Sequence, residues 1–302
     1  MSPPSRPDRP FDLIVLDLDG TLLDPRGTVS PGNAAAIRRA EDAGIAVVVA
    51  SGRSWSESRQ VLQPIGYRRP MIAAGGAILA DGALGSTLVR RAMPVDVVAD
   101  VVDSLLGHRH PALLLKDTPP EHDDYVVIGE GPLDPATEWW FQHFKIRYRR
   151  VAARLDDPHP GDTVRVGVVA TGTALATAVE EIRRDIGDRV FLQHWSAVTA
   201  MEATGSQTHL LEIFDPTVNK WTMVEELCRR EGFDPRRVMA IGDGLNDVEM
   251  LQNAALGVSM ANAGPEARAA ATRVTGHHAD DGVAHAIGQV LSGAWRVHAT
   301  VR

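Results

Sequence analysis

The chain has 302 residues, a formal net charge of -8 at neutral pH, 23% charged residues and 44% from the AVILMFWYC set. These are the proportions of an ordinary globular protein long enough to bury one or two cores, and they exclude a disordered or fibrous chain. The acidic balance, with basic residues in short pairs that form no patch, excludes a general nucleic-acid binder, whose phosphate contacts need clustered Lys and Arg.

Residues 1–10 are rich in proline, hold no aliphatic residue beyond Met1 and read as a flexible leader without the apolar segment of a secretory signal. Order begins at Phe11. The apolar run Leu13-Ile14-Val15-Leu16 predicts a buried strand, and the carboxylate-bearing turn Asp17-Leu18-Asp19-Gly20-Thr21 follows it directly. Ser30 and Pro31 fit an N-cap and a first helical residue, residues 34–43 supply the helix, and Gly44 ends it. A second buried strand is expected over 45–50, followed by Ser51-Gly52-Arg53, and a third over 71–74. Alternating helix with near-continuous apolar strands implies a parallel sheet covered on both faces.

Residues 84–215 change character, with breaks at Pro119-Pro120 and between Pro158 and Pro160. Amphipathic helices are expected over 95–106 and 174–186, and strands over 112–115, 125–128, 164–169 and 189–192. This is enough material for a separate α+β domain. The alternating pattern then returns: a helix over 220–231, a strand over 238–242, a helix over 246–253, short strands over 256–260 and 272–275, and a last helix over 282–291. The expected architecture is α/β, a Rossmann-like parallel-sheet core of residues 11–83 and 216–302 interrupted by an inserted α+β cap domain of residues 84–215. No stretch reaches the roughly 18 apolar residues that span a bilayer, so no membrane partner is expected and the location is read as cytoplasmic. The single cysteine, Cys228, cannot form an internal disulfide and is read as a buried small hydrophobe on a helix.

In an open parallel sheet, ligands bind beyond the carboxyl ends of the strands, and four polar groups fall there. The first is the pair Asp17 and Asp19 in the turn that ends with Thr21; a solvated Asp-Gly turn is the competing reading of that pentapeptide alone. The second is Ser51-Gly52-Arg53, where a hydroxyl and backbone N–H groups can cradle phosphate oxygens or where Ser51 or Ser54 caps a helix. The third is Lys220, opening a helix. Of 31 basic residues only Lys116, Lys145 and Lys220 are lysine, so a lysine here stands out, although a solvated lysine is the ordinary alternative. The fourth is Gly242-Asp243-Gly244-Leu245-Asn246-Asp247, a Gly-rich turn in which Asn246 or Asp247 could cap a helix but Asp243 would be left unexplained. Clustering Asp17, Asp243 and Asp247 without a cation would raise their pKa values by mutual repulsion, which implies a hard divalent ion, and oxygen ligands favour Mg²⁺.

With these motifs in order, the chain resembles a haloacid dehalogenase-like phosphatase of the Cof type, the group with a large, type IIB-like inserted cap. The likeness runs from Phe11 to about Leu291 and includes the stretches at 258–263 and 281–284. It implies that Asp17 is the nucleophile forming an aspartyl-phosphate, and that Asp19 protonates the leaving oxygen and later deprotonates the hydrolytic water. It implies Mg²⁺ held by Asp17, the Asp19 backbone carbonyl and Asp243, with Asp247 assisting. It assigns Thr21, Ser51, Gly52, Lys220 and Asn246 to the phosphoryl group. Two positions depart from the family pattern: Gly75 stands where an Asn is usual before Gly76-Ala77, and Trp221 replaces the common glycine after the lysine.

The expected activity is hydrolysis of a small phosphorylated metabolite, with sugar phosphates the leading class, by a monomer or homodimer whose cap excludes water. An intramolecular sugar phosphomutase and a non-catalytic phospho-ligand-binding regulator are the alternatives. Nothing in the cap names the substrate: Trp139-Trp140 are read as core and rim, His277-His278 as an exposed loop, and His194 and His209 as non-catalytic.

Overall fold

A computed structural model describes residues 10–118, 122–196 and 208–296, so most of the leader and the Pro119-Pro120 break lie outside the described residues. Two compact units emerge, one from residues up to Gly85 together with those from Asn219 on, the other from Ser86–Val218. The first unit opens with β1 (Leu13–Leu16), α1 (Pro31–Asp42), β2 (Ala46–Val49), α2 (Trp55–Leu62), β3 (Met71–Ala73) and β4 (Ile78–Ala80). The second carries β5 (Thr87–Arg90), α3 (Val95–Gly107), β6 (Ala112–Lys116), β7 (Tyr125–Ile128), α4 (Pro135–His143), β8 (Tyr148–Val151), β9 (Thr163–Thr171), α5 (Gly172–Asp185), β10 (Phe191–Ser196) and β11 (Thr208–Phe214). The chain then completes the first unit with α6 (Lys220–Glu231), β12 (Val238–Gly242), α7 (Val248–Asn253), β13 (Leu256–Ser259), α8 (Pro265–Ala270), β14 (Arg273–Val274) and α9 (Gly282–Leu291).

In the first unit the sheet runs β14, β13, β12, β1, β2, and every neighbouring pair is parallel. β1 is inner: Leu13 pairs with Val238 on one side and Ala46 on the other. Every residue of β1, β2, β12 and β13 is buried, which is why these strands are continuous apolar runs with no polar alternation. The chain leaves β1 toward β2 on one flank and reaches β12 on the other, so the loops after β1, β2 and β12 meet at a topological switch point. On one face α1 packs against α9, and the buried residues of the two helices include Ala36, Ile37 and Ala40 and Val283, Ala286 and Ile287. Ser30 accepts from the Asn33 N–H at 3.0 Å, Pro31 takes the first turn, and Gly44 at φ 80° follows the helix end.

β3 keeps the expected parallel direction beside the end of β2 but is only weakly joined to it. It touches the parallel sheet by one bridge, Ala50 to Ile72, and pairs antiparallel with β4. The turn Ala74–Gly76, with Gly75 at φ 65° and Gly76 at φ 107°, reverses the chain after three strand residues.

The second unit is a sheet of order β10, β11, β9, β6, β7, β8, antiparallel except for β7 with β8. One core of this unit joins Val101 and Leu105 of α3 and Leu175 and Ile182 of α5 to Leu114, Val126, Val166 and Leu211 of the sheet. Two buried ion pairs accompany it: Arg165 with Glu212 on adjacent strands, and Lys116 with Asp157 at 2.5 Å. Trp140 packs edge-on against Tyr125, whereas Trp139, 42% exposed, stacks on His143. The expected strand at 189–192 begins later, because Gly187–Arg189 form a 3₁₀ turn at the end of α5. β5 and β8 were not anticipated: Thr-Leu-Val-Arg and Tyr-Arg-Arg-Val are largely exposed and lack the apolar run that marks a buried strand.

Candidate active site

β1 ends in a buried backbone whose next N–H, that of Asp17, donates to Ile241 O at 2.9 Å and so ties the first loop to β12. The Asp17 residue is 5% exposed and its carboxylate accepts from Lys220 Nζ at 2.5 Å. Asn219 caps α6 by accepting from the Thr222 N–H, which fixes Lys220 as the first residue of that helix; its side chain is wholly buried and also donates to Asp247 at 2.7 Å. Asp247 turns its other oxygen back to the N–H groups of Asp243 and Gly244, at 3.0 and 2.9 Å. Only glycine at 242 allows this, since a Cβ there would lie 2.5 Å from the Asp247 carboxyl carbon.

Ligand oxygens of Asp17, Asp243 and Asp247 all lie within 4.8 Å of one another. Burial, and then the neighbouring Asp247 charge, hold the Asp17 carboxyl well above the usual carboxylate range. The same two causes push Asp243 up to about 6. Burial alone would lower the Lys220 ammonium, but Asp17 and Asp247 outweigh it and keep it charged. Three carboxylates facing one ammonium leave an excess of negative charge on hard oxygen donors, so the residues fit a divalent cation.

The remaining expected residues ring this cluster. Thr21, wholly buried, donates its hydroxyl hydrogen to Asp243 at 2.7 Å. Gly20, at φ 73°, leaves room for that carboxylate, which a Cβ would meet at 2.3 Å. Ser51 is buried and accepts the Arg53 N–H at 3.1 Å, while capping of α2 belongs to Ser54 through a box with Glu57. A Cβ on Gly52 would lie 3.6 Å from the Asn246 amide, so the Ser51 and Asn246 loops adjoin. Asp19 is not among the clustered oxygens: its side chain is 54% exposed and accepts from Nε and Nη2 of Arg53, one on each carboxylate oxygen. Gly75 donates its N–H to Ser51 O at 3.0 Å, and Gly76 passes so near the Asn219 carbonyl that a Cβ would sit 2.2 Å from it. The turn holding the Gly75 departure thus links the Ser51 loop to the start of the Lys220 helix, and Trp221 is buried one residue further on.

A model of the haloacid dehalogenase-like hydrolase family matches residues 14–287. The chain belongs to that family. It is 28% identical over 282 residues to 5-amino-6-(5-phospho-D-ribitylamino)uracil phosphatase YcsE of Bacillus subtilis, covering 93% of this chain and 96% of that protein. It is 28% identical over 288 residues to Endoribonuclease YBEY, chloroplastic, of Arabidopsis thaliana; the match takes 92% of this chain but only 46% of that relative, about half its length. Among solved structures, one described as a HAD subclass IIB sugar phosphatase superposes with a TM-score of 0.75 at 20% identity, over 92% of this chain and 98% of the other. These matches support a Cof-type haloacid dehalogenase-like hydrolase with a parallel-sheet core and a separate cap. Phosphatases of this family use a divalent metal, and the Asp17, Asp243 and Asp247 cluster could hold one. Among the described residues no helix is long and apolar enough to cross a membrane.

Several residues of this haloacid dehalogenase-like site escaped the sequence reading. Asn262 lies in a stretch noted only for its resemblance, yet it bonds to Gly20 and Asp243. His277 and His278 are half-buried, not in an exposed loop: the Leu23 carbonyl accepts from His278 Nδ1 at 2.8 Å, and the His278 N–H reaches Asn262 Oδ1 at 3.0 Å. Arg53 was visible beside Ser51, but its pairing with Asp19 crosses between loops and leaves no local trace. His194 and His209 lie 3.2 Å apart on β10 and β11 of the second unit, and the Cys228 thiol is buried and pushed up to about 12 by that burial.

Proposed function

We propose that the chain is a Mg²⁺-dependent phosphatase that hydrolyses a small phosphorylated metabolite through an aspartyl-phosphate, with sugar phosphates the first class to test. The observation that carries this reading is the buried Asp17 carboxylate at the end of an inner strand, held by Lys220 and sharing a 4.8 Å neighbourhood with Asp243 and Asp247. In the proposed first step an Asp17 oxygen bonds to phosphorus as the ester P–O bond breaks, and Asp19 delivers a proton to the departing oxygen. In the second step Asp19 takes a proton from water, whose oxygen attacks phosphorus and releases Asp17 and phosphate. Lys220 offsets charge on the phosphoryl oxygens, while Ser51, Gly52, Thr21 and Asn246 orient that group. Asp17, the Asp19 carbonyl and Asp243 would hold Mg²⁺, with Asp247 in support, and the ion would supply charge neutralisation.

The Asp19–Arg53 pair fits this scheme as a resting pose, because an ion pair this exposed contributes only about 0–1 kcal/mol and is easily exchanged. The inserted unit serves as the substrate-selecting cap, and the enzyme works in the cytoplasm as a monomer or homodimer. A panel of phosphomonoesters assayed with Mg²⁺ tests the reading. Release of phosphate from at least one ester, abolished in Asp17→Asn, is expected; hydrolysis of none, or undiminished hydrolysis by that variant, refutes it. Product analysis distinguishes a mutase, which would return an isomer with little free phosphate.

A further inference from the structure

We infer that Asn262 is a positioning residue for the cation site, an inference that rests on the divalent-metal reading above. Every polar group of Asp243 is engaged, by its own turn, by the loop after β1 and by the loop after β13. Its carboxylate accepts from the Thr21 hydroxyl at 2.7 Å on one oxygen and from the Asn262 amide at 3.3 Å on the other. Its backbone N–H goes to Asp247 and its carbonyl accepts from the Gly264 N–H at 3.1 Å. Asn262 closes this frame. One amide hydrogen goes to the Gly20 carbonyl at 2.8 Å, the other to Asp243, and the amide oxygen accepts the His278 N–H. These partners fix which way the amide faces, since a reversed amide would set its oxygen against a carbonyl and a carboxylate.

A carboxylate oxygen has two acceptor directions, so one hydrogen bond to each oxygen of Asp243 orients the group and leaves the other direction for a ligand. Without Asn262 the carboxylate would keep only the Thr21 tether on its side chain, close to two like charges at Asp17 and Asp247 that favour its turning away. Such outer contacts set the affinity of metal-ligating carboxylates, and their loss typically costs about 10–100-fold. The Gly20 bond adds a second effect, because the same amide steadies the loop that carries Asp17 and the Asp19 carbonyl.

The test uses the full chain and Mg²⁺ alone, with the thermal midpoint followed against Mg²⁺ concentration in the wild type, Asn262→Ala and Asn262→Ser. Asn262→Ser keeps a polar side chain in the turn but cannot span from Gly20 to Asp243, and it serves if the alanine variant does not fold. The expected result is an apparent Mg²⁺ dissociation constant raised about 10–100-fold, with a much smaller Mg²⁺-induced rise in midpoint at a fixed concentration. A residue that merely anchors the loop would lower the midpoint equally with and without Mg²⁺ and leave the dissociation constant unchanged, and that outcome overturns the inference. A wild type with no Mg²⁺-dependent shift would overturn the cation reading itself.

Discussion

Replacing Lys220 with methionine removes the one ammonium that faces Asp17 and Asp247 and keeps most of the side chain's length. The wild-type ammonium is wholly buried and lies 2.5 and 2.7 Å from two carboxylates. Removing one partner of a buried ion pair costs about 3–5 kcal/mol, because the remaining charge is left desolvated and uncompensated. For a unit of this size each kcal/mol moves the midpoint by about 2–4 °C, so metal-free Lys220→Met is expected to melt about 6–20 °C below the wild type. Differential scanning fluorimetry in EDTA at pH 8 and pH 5 measures it. In the variant the folded-state pKa of Asp17, already raised by burial, rises further. A carboxyl with a raised folded pKa loses stability as pH climbs through that pKa, so the deficit should be larger at pH 8 than at pH 5. Adding Asp247→Asn to the same background removes one of the stranded charges and should restore part of the loss. A metal-free variant melting within about 2 °C of the wild type at both pH values, or an Asp247→Asn effect that simply adds, would refute the assigned charge balance.

Three further outcomes follow from the geometry. With Asp243 pushed up to about 6, protons compete with the cation, so apparent Mg²⁺ affinity should fall as pH drops below about 6, and metal-free protein should lose stability as pH rises from about 4 through 6; midpoints measured over pH with and without Mg²⁺ check both. Gly76→Ala puts a Cβ 2.2 Å from the Asn219 carbonyl at φ 107°, which should cost more than about 1 kcal/mol in denaturant unfolding and lower turnover by shifting the start of α6. Arg53→Ala frees the Asp19 carboxylate from a pair worth about 0–1 kcal/mol, so hydrolysis of an alkyl phosphate, which needs the leaving oxygen protonated, should fall about 2–5-fold more than that of an aryl phosphate with a good leaving group. Equal losses on both esters would remove Arg53 from proton transfer.

Much of the candidate site was legible because Asp17, Asp243 and Asp247, which the structure brings together, closely follow apolar strands whose every residue is buried, and Lys220 is one of three lysines. The connecting contacts were not. Asn262 reaches Gly20 across 242 positions, and a side chain's long-range partners have no periodicity to betray them. The adjacent histidines looked exposed because a polar pair between short elements usually is; the Leu23 carbonyl and Asn262 supply partners that composition cannot reveal. β5 and β8 failed for a different reason: exposed strands rich in arginine depend on a neighbouring strand, not on their own residues, for their conformation. The short β3 shows backbone chemistry ending an apolar run, since three successive residues at positive φ, Ala74, Gly75 and Gly76, turn the chain straight after Ala73.

The inner position of β1 also sets an order of events on the ribosome. Its two neighbours in the sheet are β2, about thirty residues later, and β12, whose partner for Leu13 is Val238. The second unit, with its own sheet and core, is synthesised in full before β12 emerges and can gather its contacts first. Until then β1 lacks one edge partner, and Asp17 waits without Asp243 or Asp247. Nascent chains halted before Val238 are therefore predicted to expose a sticky half-sheet and to need chaperone protection, whereas emergence of the residues from Val238 on closes the sheet and completes the acidic cluster in one late, long-range step.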